Sequence, residues 1–318
     1  MLKDQAREVL DDLARKSRVQ IEPNGEAQTL AQARAMTASM ADYSGSAPDS
    51  VISEDIEVPG GDGDIPVRLY RPAMVESARL LVWYHGGGAM AGSLDGHDKP
   101  LRQLCAATGR VIASVGYRLA PEHPSPAPQD DCIAATRHLM AKAGELRCEP
   151  SGIAIGGDSI GGLLAAVTVL ALRQDDAELP SALVMLYPNT DLRPDRDCPS
   201  LREQSGHVMT EESLLYENGL FVPEPLDRSD AKVSPHLARD LYGFPRTLIV
   251  TCEHDPLRDE GEAFAGRLEE SGCSVEHERL DGMIHGVLQM AGWIDEAAKL
   301  QARIADFLSA SPAKSGHD

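Results

Sequence analysis

The stretch of sequence that decides the fold is residues 153–162, Ile-Ala-Ile-Gly-Gly-Asp-Ser-Ile-Gly-Gly. A short apolar run ends at paired glycines, Ser159 follows, and two more glycines come before the apolar residues 163–172. This pattern predicts a strand, a sharp turn and a buried helix, with Ser159 at the apex. Small neighbours let strand and helix close around a strained turn, which holds a serine hydroxyl clear of the backbone, as a nucleophile requires. The alternative interpretation is a glycine-rich turn that contains a serine by chance.

Composition indicates a large globular domain with an acidic surface. The chain has 318 residues, of which 42% are hydrophobic, so it can bury a large core as one α/β domain over residues 1–318. Its 50 acidic residues outnumber its 30 basic residues, which gives a formal charge of −20. Such a surface repels phosphate backbones and anionic lipids, so nucleic acid and membranes are excluded as expected partners. The six cysteines form no C-x-x-C pair, which favours free thiols over disulfides or a zinc site.

The first residues of the sequence do not have the pattern expected of a secretory signal. Residues 1–10 are charged and amphipathic, without the apolar core of a secretory signal. No run of about 18 apolar residues is present that could span a membrane. We therefore expect a cytoplasmic protein.

Strand-like and helix-like segments alternate along most of the chain. This alternation predicts a mostly parallel central sheet with helices on both faces. A hairpin signal at residues 59–64 joins the first two strands. The predicted strands are residues 51–58, 65–70, 80–84, 111–117, 153–155, 182–187, 247–252 and 274–280.

Two segments interrupt this alternation. Residues 1–45 precede the strands and contain predicted helices over 1–17 and 27–41. Residues 191–241 form a long, polar insertion dotted with prolines, with a short predicted helix near 211–218. An insertion of this length is usually functional. We therefore expect both segments to form a helical cap subdomain over a site.

A serine nucleophile needs a base to take its proton and a third group to orient that base. In an open α/β sheet such groups lie on loops at the carboxyl ends of strands. Asp255 follows one predicted strand end and His285 follows the next, so the chain order is Ser159, Asp255, His285. The sequence leaves Asp259 and Asp281 open as alternative acids. His254, beside Asp255, is the alternative base.

Three glycines, residues 86–88, follow His85 directly after a predicted strand. Bare glycines let backbone N–H groups approach a substrate oxyanion closely. The alternative is a dinucleotide-binding loop, because Gly86, Gly88 and Ala91 match the loose fingerprint. Residues 92–99 look like a loop rather than a helix, and residues 109–111 (Gly-Arg-Val), about 20 positions on, offer no acidic residue, which disfavours that alternative.

The sequence resembles the bacterial esterases that are similar to hormone-sensitive lipase, within the α/β-hydrolases. The motifs that carry the resemblance are residues 85–88 (His-Gly-Gly-Gly), 117–122 (Tyr-Arg-Leu-Ala-Pro-Glu), 157–162 (Gly-Asp-Ser-Ile-Gly-Gly), 255–260 (Asp-Pro-Leu-Arg-Asp-Glu) and 281–286 (Asp-Gly-Met-Ile-His-Gly). The resemblance implies an α/β-hydrolase fold in which Ser159, Asp255 and His285 are the catalytic triad. It implies that the backbone N–H groups of Gly87, Gly88 and Ile160 form the oxyanion hole.

The resemblance also implies hydrolysis of small carboxylic esters with short to medium acyl chains. It implies no metal and no cofactor, and a homodimer as an assembly to test. An amidase, a lactonase or an acyltransferase on the same triad remains an alternative. A non-catalytic ligand receptor is a further alternative, since fold alone does not give function. No triad member is missing from the sequence, which disfavours a receptor.

Three positions depart from the family pattern. Ala89 and Val287 stand where aromatic side chains usually follow the oxyanion glycines and the catalytic histidine. Ile160 stands where a small residue usually follows the nucleophile. We therefore expect Ala89 and Val287 to line a reshaped substrate pocket.

Overall fold

The computed structural model of the protein describes residues 1–20, 30–75 and 78–310. Its sheet is built from eight strands: β1 (Val51–Gly60), β2 (Gly63–Pro72), β3 (Ala78–Tyr84), β4 (Val111–Val115), β5 (Cys148–Asp158), β6 (Ala182–Leu186), β7 (Arg246–His254) and β8 (Val275–Ile284). Its α-helices are α1 (Asp4–Gln20), α2 (Leu30–Ser39), α3 (Asp98–Thr108), α4 (Ala127–Ala141), α5 (Ile160–Gln174), α6 (Ser200–Glu203), α7 (Glu211–Phe221), α8 (Arg258–Glu270) and α9 (Asp295–Ser309). Residues 27–29 of the predicted second helix lie outside the described residues.

The eight strands form one mostly parallel sheet in the order β1-β2-β4-β3-β5-β6-β7-β8, as predicted. Along this order, the six strands β4, β3, β5, β6, β7 and β8 run parallel to one another. β2 runs antiparallel to both β1 and β4. The predicted hairpin is confirmed, since Gly60 pairs with Gly63 across the β1–β2 turn. The carboxyl ends of β5, β6, β7 and β8 therefore lie side by side at one edge of the sheet.

Helices cover both faces of the sheet, and β3 shows why. Leu80, Val82 and Tyr84 belong to a core cluster that includes side chains of α4, α5 and α8. The intervening Leu81 and Trp83 belong to a second cluster with side chains of α1, α3 and α9. Since successive side chains of a strand point to opposite faces, a continuous apolar strand supplies both cores.

Strand boundaries differ from the predictions, for example at the end of β4 and at the start of β5. The strand predicted over 111–117 ends at Val115, because the chain turns away and Gly116 N–H donates to the Pro66 carbonyl at 2.8 Å. Tyr117 thereby leaves the sheet. β5 begins at Cys148 rather than at residue 153.

A buried ion pair ties the insertion to the main fold. Arg196 Nε lies 2.8 Å from Glu260 Oε2 of α8, and both side chains are almost fully buried. The backbone N–H of Thr190 donates to the other Glu260 oxygen at 2.7 Å. A paired and hydrogen-bonded carboxylate is the form in which buried charge is tolerated.

Across the described ranges, no helix is long and apolar enough to cross a membrane.

Candidate active site

Ser159 occupies the sharp turn between β5 and α5. Its backbone has φ 56° and ψ −124°, a conformation that non-glycine residues rarely adopt. Its N–H donates to the Leu186 carbonyl of β6 at 2.9 Å, which holds the turn against the sheet. A Cβ atom at Gly157 would lie 2.3 Å from the backbone of Gly161, and one at Gly161 would lie 2.0 Å from the Tyr84 carbonyl oxygen. The glycines are therefore needed for the close approach that forms this strained turn.

An aspartate and a histidine meet beyond the ends of β7 and β8. His285 Nδ1 lies 2.8 Å from Asp255 Oδ2. Asp255 has no exposed surface, and its Oδ1 accepts a hydrogen bond from the Leu257 N–H at 2.8 Å. Burial lowers the pKa of His285, but the charge of Asp255 and its hydrogen bond raise it more, so the pKa lies above its usual value. The contact with Asp255 leaves His285 Nε2 available as a proton acceptor.

Ser159 and His285 both line one cavity of about 350 Å³. Among the described residues, the Ser159 hydroxyl makes no hydrogen bond, although it is only 7% exposed. Without a substrate, catalytic hydrogen bonds are often long or misaligned, so this geometry is compatible with a nucleophile and its base.

The alternative groups from the sequence lie elsewhere. Asp259 Oδ2 accepts a hydrogen bond from the Ser200 N–H at 2.7 Å, which joins α8 to the insertion. Asp281 is exposed on β8. His254 Nδ1 lies 3.1 Å from Gln204 Oε1, and its ring packs against His207. None of the three alternatives lines the cavity that contains Ser159.

Backbone donors are available beside Ser159. Gly87 and Gly88 line the cavity, and their N–H groups donate to no acceptor within the described residues. Ile160 is the first residue of α5, so its N–H has no acceptor inside the helix. Free N–H groups at a helix start and in a glycine turn are suited to binding an oxyanion.

A buried polar network supports the glycine loop. The Tyr117 hydroxyl donates to the His85 carbonyl at 2.7 Å, and the two rings stack at 4.3 Å. Asp158 contacts Trp83 Nε1 at 3.0 Å and His97 Nε2 at 3.1 Å. Burial lowers the pKa of His85 to about 4, so its ring is neutral at pH 7.

The glycine loop lacks the structure of a dinucleotide site. Residues 88–90 form a turn, and α3 begins only at Asp98, so the glycines do not open a helix. The described residues contain no group of three or more His, Cys, Asp and Glu side chains arranged to hold a metal ion.

Comparison with known proteins places the chain in a family. A family model described as the alpha/beta hydrolase fold matches residues 81–289. The chain is 37% identical over 246 residues to the carboxylic ester hydrolase LipN of Mycobacterium tuberculosis. The matched region covers 74% of this chain but only 64% of LipN. It is 36% identical over 256 residues to the ethyl acetate hydrolase of Pseudomonas putida, with 79% of each chain covered.

The chain belongs to the hormone-sensitive-lipase-like family of α/β-hydrolases. A solved structure of the ester-hydrolase EH1AB1, from the metagenome of Lake Arreo, matches this α/β-hydrolase with a TM-score of 0.89 and 32% identity. That match covers 97% of this chain and 98% of the other. The fold and family expected from the sequence are therefore confirmed.

The cavity of this α/β-hydrolase has walls from three regions. The glycine loop and the loops that carry Ser159 and His285 form one side of it. The N-terminal segment contributes Leu13, Gln32, Ala33, Met36, Thr37 and Met40. The insertion contributes Val208, Met209, Thr210, Ser213 and Glu217. The wall thus mixes apolar and polar side chains, and its methionines can adapt to different substrate shapes.

The two pocket residues predicted from the family pattern do not reach this wall. Ala89 and Val287 are fully buried and pack into the two core clusters on opposite faces of the sheet. The turn that contains Ala89, at φ 56°, directs its side chain into the core below the glycine loop. Side chains of the N-terminal segment and the insertion occupy the wall instead.

Sequence reasoning missed Glu217 of α7, which brings a carboxyl group into the cavity. Removal from water raises the pKa of Glu217 to about 7. Little in the sequence indicates this position, since three glutamates on a short helix are typical of a solvated helix face.

Proposed function

We propose that this protein is a serine carboxylesterase in which Ser159 is the nucleophile, His285 the general base and Asp255 the group that orients it. The observation that carries the proposal is the His285–Asp255 contact of 2.8 Å beside the strained turn of Ser159, both at one cavity. The membership of the chain in a family of ester hydrolases agrees with this assignment.

His285 Nε2 accepts the Ser159 proton as the hydroxyl oxygen attacks the ester carbonyl. Asp255 holds the proton on Nδ1 and stabilises the imidazolium that forms. The imidazolium then protonates the alcohol oxygen as the ester bond breaks. The alcohol departs, and the acyl group remains bound to Ser159. Water, deprotonated by His285, attacks this acyl-enzyme and releases the carboxylic acid by the same route.

The developing negative charge needs donors that are already in place. We propose that the N–H groups of Gly87, Gly88 and Ile160 bind the oxyanion. Donors held by the backbone need no reorganisation during the reaction, and loss of one such donor typically costs about 10²–10³ in kcat.

We further propose that residues 1–45 and 191–241 act together as a cap. What supports this is their contribution of most apolar side chains to the cavity wall, together with the Arg196–Glu260 tie. A cap excludes water and contacts the acyl chain. A cavity of about 350 Å³ suits short- to medium-chain esters, and ethyl acetate is the named substrate of one relative.

The decisive test is Ser159→Ala, with Ser151→Ala as the control. Ser151 is exposed on the same strand, at the end remote from the turn. Removal of the attacking oxygen should lower kcat for a short aryl ester by about 10⁴ to 10⁶. The Ser151 variant should keep wild-type rates. Retention of a tenth of the activity by folded Ser159→Ala protein would exclude Ser159 as the nucleophile. A panel of amides, lactones and acyl acceptors distinguishes esterase from amidase, lactonase and acyltransferase.

Assembly and location are also proposals. We propose a homodimer, which light scattering of the purified protein tests directly. We also propose a cytoplasmic location, which cell fractionation tests.

A further inference from the structure

The carboxyl group of Glu217 lies directly over the glycine loop. A Cβ atom built on Gly88 would lie 2.4 Å from Glu217 Oε2 and 3.0 Å from its Cδ. The carboxyl therefore occupies the space that a side chain at position 88 would fill. It stands at the cavity wall beside a backbone N–H that is free to bind an oxyanion.

Within the described residues, no hydrogen bond or ion pair is made by the Glu217 carboxyl. The described cavity wall has no lysine or arginine, and its other ionisable side chains are Asp158 and His285. Asp158 already contacts Trp83 and His97. The walls from α2 and from the start of α7 are uncharged. A half-buried carboxyl without a partner is costly in its charged form. A cation on a substrate would supply the positive group that the described cavity wall lacks.

A negative charge at this position opposes ester hydrolysis of an ordinary substrate. The reaction develops an oxyanion at the glycine loop, and like charges in a poorly solvated site repel each other. Two events remove the repulsion. Either a proton neutralises Glu217, or a cation on the substrate balances it.

We propose that Glu217 makes the cavity selective for esters that carry a cationic ammonium group, an inference that rests on the proposed esterase function. The substrate cation lies against the Glu217 carboxylate while its ester carbonyl lies at the glycine loop. Neutral esters are then substrates mainly of the form in which Glu217 is protonated.

The pH dependence follows from the ionisation of Glu217. Its pKa is raised to about 7, chiefly by desolvation, while a protonated His285 acts in the opposite direction. As pH rises through about 7, the carboxylate forms, so selectivity for cationic over neutral esters should rise. The titration of His285 affects both esters alike and cancels in their ratio.

The test uses two isosteric pairs of esters, one with the cation on each side of the ester bond. On the alcohol side, butanoylcholine is compared with 3,3-dimethylbutyl butanoate. On the acyl side, an aryl 4-(trimethylammonio)butanoate is compared with the aryl 5,5-dimethylhexanoate. The measured quantity is the ratio of kcat/KM, cationic over neutral, at about pH 6 and about pH 8.5, on either side of the Glu217 pKa.

In at least one pair, the wild-type ratio should rise about tenfold or more between the two pH values. Glu217→Gln should lower the ratio at high pH by a similar factor and abolish its pH dependence. Glu212→Gln is the control, because Glu212 is exposed on the same helix. This substitution removes the same charge as Glu217→Gln from a protein of net charge −20. That control should leave the ratio unchanged and so excludes a long-range effect of the acidic surface.

Equal ratios for wild type and Glu217→Gln in both pairs would overturn the inference, as would an equal loss in Glu212→Gln. Either result is distinct from failure of the proposed esterase function. If the proposed esterase function were wrong, wild-type protein would fail to hydrolyse the neutral esters, or Ser159→Ala would still hydrolyse them.

Discussion

Asp255→Asn tests the orienting role of the carboxylate with minimal change in shape. Asp255 Oδ1 accepts the Leu257 N–H at 2.8 Å, and Oδ2 faces His285 Nδ1 at 2.8 Å. Asparagine keeps one oxygen, which the Leu257 N–H retains. Its NH₂ group then faces His285 Nδ1, which must become an acceptor. The ring proton moves to Nε2, and a protonated Nε2 cannot accept the Ser159 proton.

The expected loss in kcat is about 10⁴, as for the same change in a serine protease triad. That factor corresponds to about 5.4 kcal/mol of transition-state stabilisation. The assay is hydrolysis of a short aryl ester under saturating conditions. Circular dichroism and the urea midpoint serve to show that the variant is folded.

Asp259→Asn is the control for this substitution. Asp259 Oδ2 accepts the Ser200 N–H and Asp259 does not line the cavity. Its substitution should lower kcat less than about tenfold. If Asp259→Asn costs more than Asp255→Asn, or if Asp255→Asn keeps a tenth of wild-type kcat, the assignment of the orienting acid is refuted.

Three further outcomes are expected. Burial lowers the pKa of His285, but Asp255 raises it more. Because protonated His285 cannot act as base, kcat/KM should fall on the acid side with a midpoint above about pH 6.5. A midpoint below about pH 6 would contradict this. Ala89→Phe should lower the free energy of unfolding by about 1–3 kcal/mol in urea titrations, because Ala89 is fully buried; an unchanged urea midpoint with a shifted acyl preference would instead put it at the pocket. Arg196→Met should destabilise the protein by about 3–5 kcal/mol, since it leaves Glu260 buried without its cation, and Glu260→Gln in the same chain should restore part of the loss.

Much of the fold follows from local patterns along the chain. Apolar strands separated by helices predicted a mostly parallel sheet, and that sheet is present because continuous apolar strands need cover on both faces. The strand ends were less predictable. The strand that begins at Val111 ends two residues early, because Tyr117 turns out of the sheet to donate to the His85 carbonyl.

The sequence alone determined which residue types follow the strand ends, since glycine spacing around Ser159 and the strand–loop order are local properties. Only tertiary structure decided which carboxylate contacts His285. Asp255 and Asp259 lie four residues apart, yet the turn into α8 directs one toward His285 and the other toward Ser200. Tertiary packing also buried Ala89 and brought Glu217 over Gly88. The physical reason is that the cavity wall is formed by segments far apart in the chain, and the side chain that each presents depends on long-range packing that no local periodicity encodes.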